Sequence, residues 1–147
     1  EAALRTAYEV ITEQELKELD IVEVRGLEGI KEAEVEIDGL TVRAAVVHSL
    51  SNARKLMEWI KSGEKEYHFV EFMACPGGCI GGGGQPIPTN QRVVGDRMEA
   101  IYKIDAGKEM RKSHENPEVK ALYDDYLGEP NGHKAHELLH THYIERG

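Results

Sequence analysis

Two cysteines, Cys75 and Cys79, stand four residues apart beside a run of glycines that holds six of the chain's 15, all between residues 77 and 84. Thiolates are ligands for soft metal centres, including iron–sulfur clusters, whose potentials respond to N–H···S hydrogen bonds. Glycine lets backbone N–H groups come close to a bound group, because no side chain stands in the way. The residue types therefore indicate an iron–sulfur site of which this chain supplies only part.

Other kinds of ligand site fit the residues of this loop less well. A phosphate loop would end in Gly-Lys-Ser/Thr, but here the glycines end in Gly84-Gln85-Pro86. Structural zinc usually takes four protein ligands, commonly from Cys-x2-Cys pairs. The radical-SAM pattern, Cys-x3-Cys-x2-Cys, lacks its third cysteine here. A pair of buried, inert thiols is the remaining alternative.

A second group of candidate metal ligands lies near the end of the chain, where five of the seven histidines fall between residues 114 and 142. His136-Glu137-Leu138-Leu139-His140 fits His-Glu-x-x-His, which on a helix places two zinc ligands on one face with Glu137 as general base. A zinc peptidase also needs a third protein ligand, and only seven residues follow His140. A zinc peptidase is therefore a remote alternative to a helix with hydrogen-bonded histidines.

Alternating apolar residues predict strands around the cysteine loop, at residues 21–25, 33–37, 40–47 and 67–73. Asp38-Gly39 is a hairpin turn signal between the second and third of them. The third and fourth strands, joined by a helix, predict a parallel βαβ unit, and such units bind ligands where their strands end. The last strand, which we expect to be buried, ends at the cysteine loop. His48 and His68 are expected to make ordinary hydrogen bonds.

Apolar residues at helical spacing, together with capping and breaking residues, predict helices at 1–11, 12–19, 51–61, 90–105, 117–127 and 134–140. Trp59, within the third of these, is expected to serve packing. The predicted fold class is α/β: a parallel sheet flanked by helices, followed by a helical C-terminal extension. We place the boundary between an α/β part at 1–110 and a helical tail at 111–147.

The composition fits one folded domain, with 147 residues, 40% hydrophobic and 31% charged. Asp and Glu number 27 against 18 Lys and Arg, and this acidic balance argues against nucleic acid as a partner. No apolar run approaches the roughly 18 residues that a membrane span needs. The chain opens with Glu1 inside a helical pattern, so we expect it to be part of a longer polypeptide, located in the cytoplasm.

Residues 71–86 read Glu-Phe-Met-Ala-Cys-Pro-Gly-Gly-Cys-Ile-Gly-Gly-Gly-Gly-Gln-Pro. This stretch resembles the third H-cluster motif of the [FeFe]-hydrogenases, Glu-x-Met-Ala-Cys-x-x-Gly-Cys-x-x-Gly-Gly-Gly-Gln-Pro, at every fixed position. Residues 24–37 resemble the segment that precedes the motif in the catalytic subunit. The tail, with its runs at 111–117 and 133–141, resembles the small subunit of two-subunit members. The likeness therefore spans nearly the whole chain.

The resemblance implies a role for each residue of the motif. Cys75 would be a ligand of a [4Fe–4S] cubane, and Cys79 would bridge that cubane to a diiron subcluster, the two together forming the H-cluster. Met73 would be an apolar wall of the diiron pocket rather than a ligand. The glycines that would approach the cofactor are Gly77, Gly78, Gly81, Gly82 and Gly83. The other two cubane cysteines of the family belong to two earlier motifs that this chain lacks.

The resemblance also implies a function and partners. It implies an iron hydrogenase, which carries out reversible H2 oxidation and proton reduction at the H-cluster. The first partner would be the remainder of the catalytic subunit, through which ferredoxin or another electron carrier would be reached. The isolated chain is expected to be inactive. The alternative is a non-catalytic hydrogenase-like iron–sulfur protein, either sensory or for cluster assembly. The tail argues against the assembly version, in which we do not expect it.

Overall fold

The sheet that leads to the cysteine loop has three strands, β1 (Ile30–Ile37), β2 (Leu40–His48) and β3 (Phe69–Met73), in the order β1-β2-β3. The computed structural model describes residues 1–75 and 77–145. β1 and β2 form an antiparallel hairpin, and β2 and β3 pair in parallel, so the sheet is mixed rather than wholly parallel. The predicted hairpin and the predicted parallel βαβ unit are both confirmed.

The backbone of the hairpin turn explains why the Asp38-Gly39 dipeptide is enough to predict it. Asp38 and Gly39 both have positive φ angles, 50° and 79°. Tight two-residue turns that join antiparallel strands require such angles, and Asp-Gly adopts them readily. The turn therefore fixes the register of β1 on β2, with Ile37 opposite Leu40.

Three helices belong to the same part of the chain, namely α1 (Ala2–Thr12), α2 (Leu50–Ser62) and α3 (Gln91–Ala106). α2 is the crossover between β2 and β3, and it ends at Gly63, whose left-handed φ of 73° closes the helix. α3 begins at Asn90, whose side chain accepts a hydrogen bond from the Val93 N–H. The bounds of these three helices agree with the sequence prediction, and α1 and α2 flank the sheet as expected.

The two faces of the sheet are covered differently. On one face, Ala45 and Val47 of β2 pack with Leu56 of α2, and all three are essentially inaccessible to solvent. On the other face, Ala33 and Val46 pack with Val24, which precedes the sheet in the chain. Burial of these apolar side chains is the main favourable term in folding.

Two sequence predictions ahead of the sheet are wrong. The helix expected at 12–19 does not form, because Glu13 adopts a left-handed conformation and the Glu9 carboxylate takes the Leu16 N–H as its hydrogen-bond donor. The strand expected at 21–25 is instead a single 3₁₀ turn, Val22–Val24. Its alternation reflects Val24 packing on the face of the sheet, not pairing at its edge.

β3 is shorter and more exposed than the sequence predicts. Phe69 and Phe72 are 44% and 50% exposed, because β3 lies at the edge of the sheet. A cleft of about 290 Å³ opens along this edge, lined in part by Phe69, Glu71 and the first turn of α1. The expectation that this strand is buried is therefore wrong. Within the described residues, only β2 pairs with β3.

From Lys112 onward the chain forms a second compact unit, whereas Glu1–Arg111 form the first. The second unit contains α4 (Pro117–Leu122), which continues into a π-helical turn at Tyr123–Leu127, and α5 (His133–Leu139). Asn116 caps α4 by accepting a hydrogen bond from the Glu118 N–H. Leu127 and Ala135 are its buried apolar residues among those described. The helical C-terminal extension predicted from the sequence is therefore present.

Asp105 in the last turn of α3 joins that helix to the start of the chain. The Arg5 guanidinium, 3% exposed, donates to both Asp105 carboxylate oxygens at 3.2 and 3.1 Å and to the Leu19 carbonyl at 2.8 Å. Arg111 donates to Asp105 as well. The hydrogen bonds from Arg5 and Arg111 lower the pKa of Asp105 to about 2.

This ion cluster predicts how stability depends on pH. Because the pKa of Asp105 is lower in the folded state, its contribution is complete above pH ~4 and is lost as the pH falls towards ~2. We expect Asp105→Asn to lower the free energy of unfolding at neutral pH by up to about 2 kcal/mol. In urea unfolding at a series of pH values, the free energy of unfolding should fall less below pH ~4 in the variant than in the wild type. Equal losses would contradict the assignment.

Candidate metal centre

The cysteine loop leaves the sheet where its parallel pair ends. His48, the last residue of β2, is in register with Met73, the last residue of β3. The Ser49 N–H donates to the Met73 carbonyl at 2.9 Å, which extends the pairing by one further bond. Loops at the carboxyl ends of parallel strands are the usual ligand sites of α/β folds. Met73, Cys75 and Cys79 therefore lie at the position the sequence predicts for a site.

The backbone of the loop turns twice in quick succession. The Gly78 N–H donates to the Cys75 carbonyl at 3.0 Å, and the Gly82 N–H donates to the Cys79 carbonyl at 3.2 Å. Gly77 and Gly78 both have left-handed φ angles, 76° and 84°, which side chains other than glycine adopt only at a cost. Both thiols are free, Cys75 half-buried and Cys79 exposed. The cysteines thus each start a tight turn, and the left-handed angles of the first turn are ones that glycine adopts readily.

Two of the predicted glycines lie against sulfur atoms. A Cβ atom placed on Gly82 would come within 3.2 Å of the Cys75 Sγ, and one placed on Gly78 would come within 3.2 Å of the Met73 Sδ. Both distances are shorter than ordinary van der Waals contact. The loop therefore folds over the thiol of Cys75 and the thioether of Met73, and hydrogen at these positions is what leaves the sulfurs room.

The other predicted glycines are placed less tightly. Gly81 closes the 3₁₀ turn Cys79–Gly81 and is half-buried. Gly83 is exposed, and a Cβ there would meet no atom within 4 Å. Gly77 faces the protein, where a Cβ would come within 2.5 Å of Leu27 Cδ2. The chain itself therefore explains Gly77, Gly78 and Gly82, whereas open space surrounds Gly83.

Two residues that sequence reasoning did not assign to the site hold the loop. His48, 2% exposed, accepts the Gly77 N–H at its Nδ1 at 2.9 Å. Arg97 of α3 donates to the carbonyls of Ile80 at 2.9 Å and Pro86 at 2.6 Å. The sequence predicted only an ordinary hydrogen bond for His48, and His68 indeed accepts one from the Arg43 N–H at 3.1 Å. The only signal in the sequence for Arg97 is its positive charge on the helix that follows the glycine loop.

The environment of His48 favours its neutral form. Burial and the positive charge of Lys31 lower the pKa of His48, and the negative charge of Glu71 opposes this in part. Since Nδ1 accepts a hydrogen bond, the proton of the neutral ring sits on Nε2. Nε2 is buried, and no acceptor for it is found among the described residues.

The donor set of the loop fits half of an iron–sulfur centre. A cubane needs four thiolates, and this chain offers two on adjacent tight turns. The thiol of Cys75 is closed in by Gly82, while that of Cys79 is exposed and open to a ligand. The residues present therefore fit a cluster whose further ligands come from elsewhere, and they do not complete a structural zinc site.

The His-Glu-x-x-His motif has a different geometry. His136 and His140 lie on α5 and at its end, with their rings edge to face and their Nδ1 atoms 2.6 Å apart. That separation is a hydrogen bond between the rings, whereas two nitrogens on a tetrahedral zinc would lie about 3.3 Å apart. Within the part of the chain that the structure describes, neither histidine joins a group of three potential metal ligands.

No helix among residues 1–75 and 77–145 has both the length and the apolar character needed to cross a bilayer.

An α/β scaffold with two free cysteines in a glycine-rich loop at its strand ends fits a protein that binds a metal centre through thiolates, and comparison with protein families identifies the chain further. The family model "Iron only hydrogenase large subunit, C-terminal domain" matches residues 1–83, and the model "Iron hydrogenase small subunit" matches residues 91–146. The first match covers more than half of the chain. The chain therefore belongs to the iron-only hydrogenase large-subunit family, as the sequence predicted.

Individual relatives agree with this family. The chain is 48% identical to the NADP-reducing hydrogenase subunit HndD of Solidesulfovibrio fructosivorans over 147 residues, which are 99% of this chain and 25% of that protein. Among solved structures, an apo [FeFe]-hydrogenase of Chlamydomonas reinhardtii is 45% identical, with a TM-score of 0.77 over 97% of this chain and 43% of that one. The chain thus spans about a quarter of the length of this curated relative.

A third relative corrects one expectation. A probable cytosolic Fe–S cluster assembly factor of Drosophila willistoni is 36% identical over 142 residues, which are 93% of this chain and 29% of that protein. A match of that extent includes most of residues 111–147. The expectation that the tail would be missing from assembly proteins is therefore wrong, and the tail does not separate the two classes.

Proposed function

We propose that this chain is the C-terminal portion of an [FeFe]-hydrogenase catalytic subunit, a protein that interconverts H2 with protons and electrons. The observation that carries the proposal is the loop that places Cys75 and Cys79 on consecutive tight turns at the carboxyl ends of β2 and β3. The family match and the identity to HndD support it. When bound, the H-cluster supplies the redox chemistry and the site at which H2 is split or formed.

The chain's own contribution is to bind and orient that cofactor. We assign Cys75 as a cubane ligand and Cys79 as the thiolate shared between the cubane and the diiron subcluster. Met73, half-buried with its Sδ against Gly78, forms an apolar wall of the diiron pocket. The glycines allow the backbone to come close to the cofactor, because no side chain stands in the way. Gly81 and Gly83 have this role in the proposal together with Gly77, Gly78 and Gly82.

The same proposal assigns the partners. Two thiolates are too few for a cubane, so the remainder of the catalytic subunit supplies the others. The exposed edge of β3, with Phe69 and Phe72 half uncovered, is consistent with further protein packing there. Electrons would pass through the remainder of the catalytic subunit to ferredoxin or another carrier. Residues 1–110 would then be one lobe of the H-cluster domain and 111–147 a small-subunit-like tail. The cytoplasmic location stays a prediction.

The second candidate function is a non-catalytic relative, and the 36% identity to a cluster assembly factor favours keeping it. Both hypotheses use the motif that runs from Met73 through Cys79 to the glycines, because both need its two thiolates as cluster ligands. They differ in the diiron subcluster, which the resemblance gives to hydrogenases, together with its carbon monoxide and cyanide ligands. A sensory hydrogenase homologue would differ in turnover rather than in cofactor.

Infrared spectroscopy separates these functions. We expect the full-length protein, loaded by its maturation machinery, to show bands from iron-bound carbon monoxide and cyanide and to evolve H2. The isolated 147-residue chain should show neither, because it offers two cysteines only. A loaded full-length protein that holds iron and sulfide but has no such bands would indicate an assembly protein. Bands without H2 evolution would indicate a sensory one. Zinc without iron would favour the peptidase alternative.

A further inference from the structure

Hydrogen bonds on both sides of His48 hold the end of β2. The His48 N–H donates to the Gly29 carbonyl at 2.8 Å, and the His48 carbonyl accepts the Asn52 side-chain amide at 2.8 Å. The next N–H, of Ser49, is bonded to Met73 at the end of β3. The backbone of His48 is therefore fixed on both sides, and its side chain starts from a rigid position.

From that position the imidazole reaches the cysteine loop. Its Nδ1 accepts the Gly77 N–H at 2.9 Å, across 29 residues of sequence. Gly77 lies between the two cysteines, with its backbone in the left-handed region and its Cα packed towards Leu27. The very next N–H, of Gly78, is bonded back to the Cys75 carbonyl. A single side chain thus holds the middle of the turn that separates the two thiols.

We propose that His48 is a positioning residue for the cysteine loop, which sets the spacing of Cys75 and Cys79 for the cluster by accepting the Gly77 N–H. The inference rests on the proposed function, because it assumes that the two thiols bind one iron cofactor. A buried N–H without an acceptor costs about as much as a lost hydrogen bond, so the loop follows the imidazole rather than an alternative path. Groups that orient metal ligands commonly affect metal affinity by about 10–100-fold.

Substitutions at His48 separate the hydrogen bond from mere packing. Asn places its Oδ1 close to the position of the imidazole Nδ1, so His48→Asn should still accept the Gly77 N–H. His48→Gln moves the amide one methylene further, and His48→Phe keeps the ring but has no acceptor. His68→Phe is a matched control, because His68 Nδ1 also accepts a backbone N–H, that of Arg43, outside the cysteine loop.

The test uses the full-length protein that contains this chain, with iron and acid-labile sulfide content, cluster loss to a chelator and the cluster reduction potential as readouts. We expect His48→Phe and His48→Gln to lose the cluster about tenfold faster or more, and His48→Asn and His68→Phe to behave like the wild type. Circular dichroism of the apo proteins checks folding, and if the Phe variant does not fold, the Asn and Gln pair decides.

Two results would overturn the inference: wild-type cluster retention in His48→Gln, or equal loss in His48→Asn and His48→Gln. Cys79→Ala in the same series tests the underlying function separately. If Cys79→Ala retains its cluster unchanged, the proposed function fails. If Cys79→Ala loses the cluster while His48→Gln does not, only the role of His48 fails.

Discussion

Cys79→Ala in the full-length protein should abolish H2 evolution and remove the diiron signal from the infrared spectrum. Cys79 is solvent-exposed at the start of a 3₁₀ turn. Replacing it therefore costs the fold little, and the expected loss comes from the missing thiolate. Because the proposal makes this sulfur the link between cubane and diiron subcluster, we expect activity to fall below detection.

The control for this change is a serine at a solvent-exposed position of the same unit, such as Ser62→Ala at the end of α2, which should leave activity unchanged. Thermal unfolding of the apo proteins should be nearly identical for Cys79→Ala and the wild type. Normal H2 evolution in the alanine variant would refute the role of Cys79.

Gly82→Ala is the second change for which we expect a large effect. The added Cβ would lie 3.2 Å from the Cys75 Sγ and 3.6 Å from the Cys79 carbonyl oxygen, so the thiol must move by a few tenths of an ångström. Metal–ligand distances tolerate only about ±0.2 Å. We therefore expect about a tenfold loss of cluster affinity, measured as iron released to a chelator, on the scale typical of residues that orient metal ligands.

The backbone at Gly82 is extended, with a φ of −82°, so alanine is not strained there by conformation. That makes the contact with Cys75 the single cause of the expected loss. Gly95→Ala on α3 is the matched control, since a Cβ at that position meets no atom within 4 Å. If Gly82→Ala and Gly95→Ala hold iron equally well, the enclosure of Cys75 by the loop has no bearing on the cofactor.

The parts of the fold that could be predicted are those whose cause is local. The Asp38-Gly39 turn and the glycine at the end of α2 both need left-handed backbone angles that few other residues adopt. The segment at 12–19 failed because Glu9, seven residues away from Leu16, competes for its N–H. The exposure of β3 could not be foreseen, since alternation alone does not say whether a second strand lies beside it.

The residues of the candidate site also divide into those that local sequence predicts and those that only the fold brings together. Cys75, Cys79 and the glycines were found from residue type and spacing, because thiolates and a bare backbone have few other uses in this pattern. His48 and Arg97 were missed, because they reach the loop from positions 29 and 17 residues away in sequence. Only the folded chain brings such residues to the site. The roles of Cys75 and Cys79 as cluster ligands remain the prediction on which the account depends.

A crystal structure of the loaded full-length protein, with anomalous scattering collected at the iron edge, tests that prediction most directly. The account predicts iron at bonding distance from the Sγ atoms of both Cys75 and Cys79, with the remaining cubane ligands coming from residues outside this chain. Anomalous iron density bonded to neither sulfur, with both thiols free in the loaded protein, would contradict it.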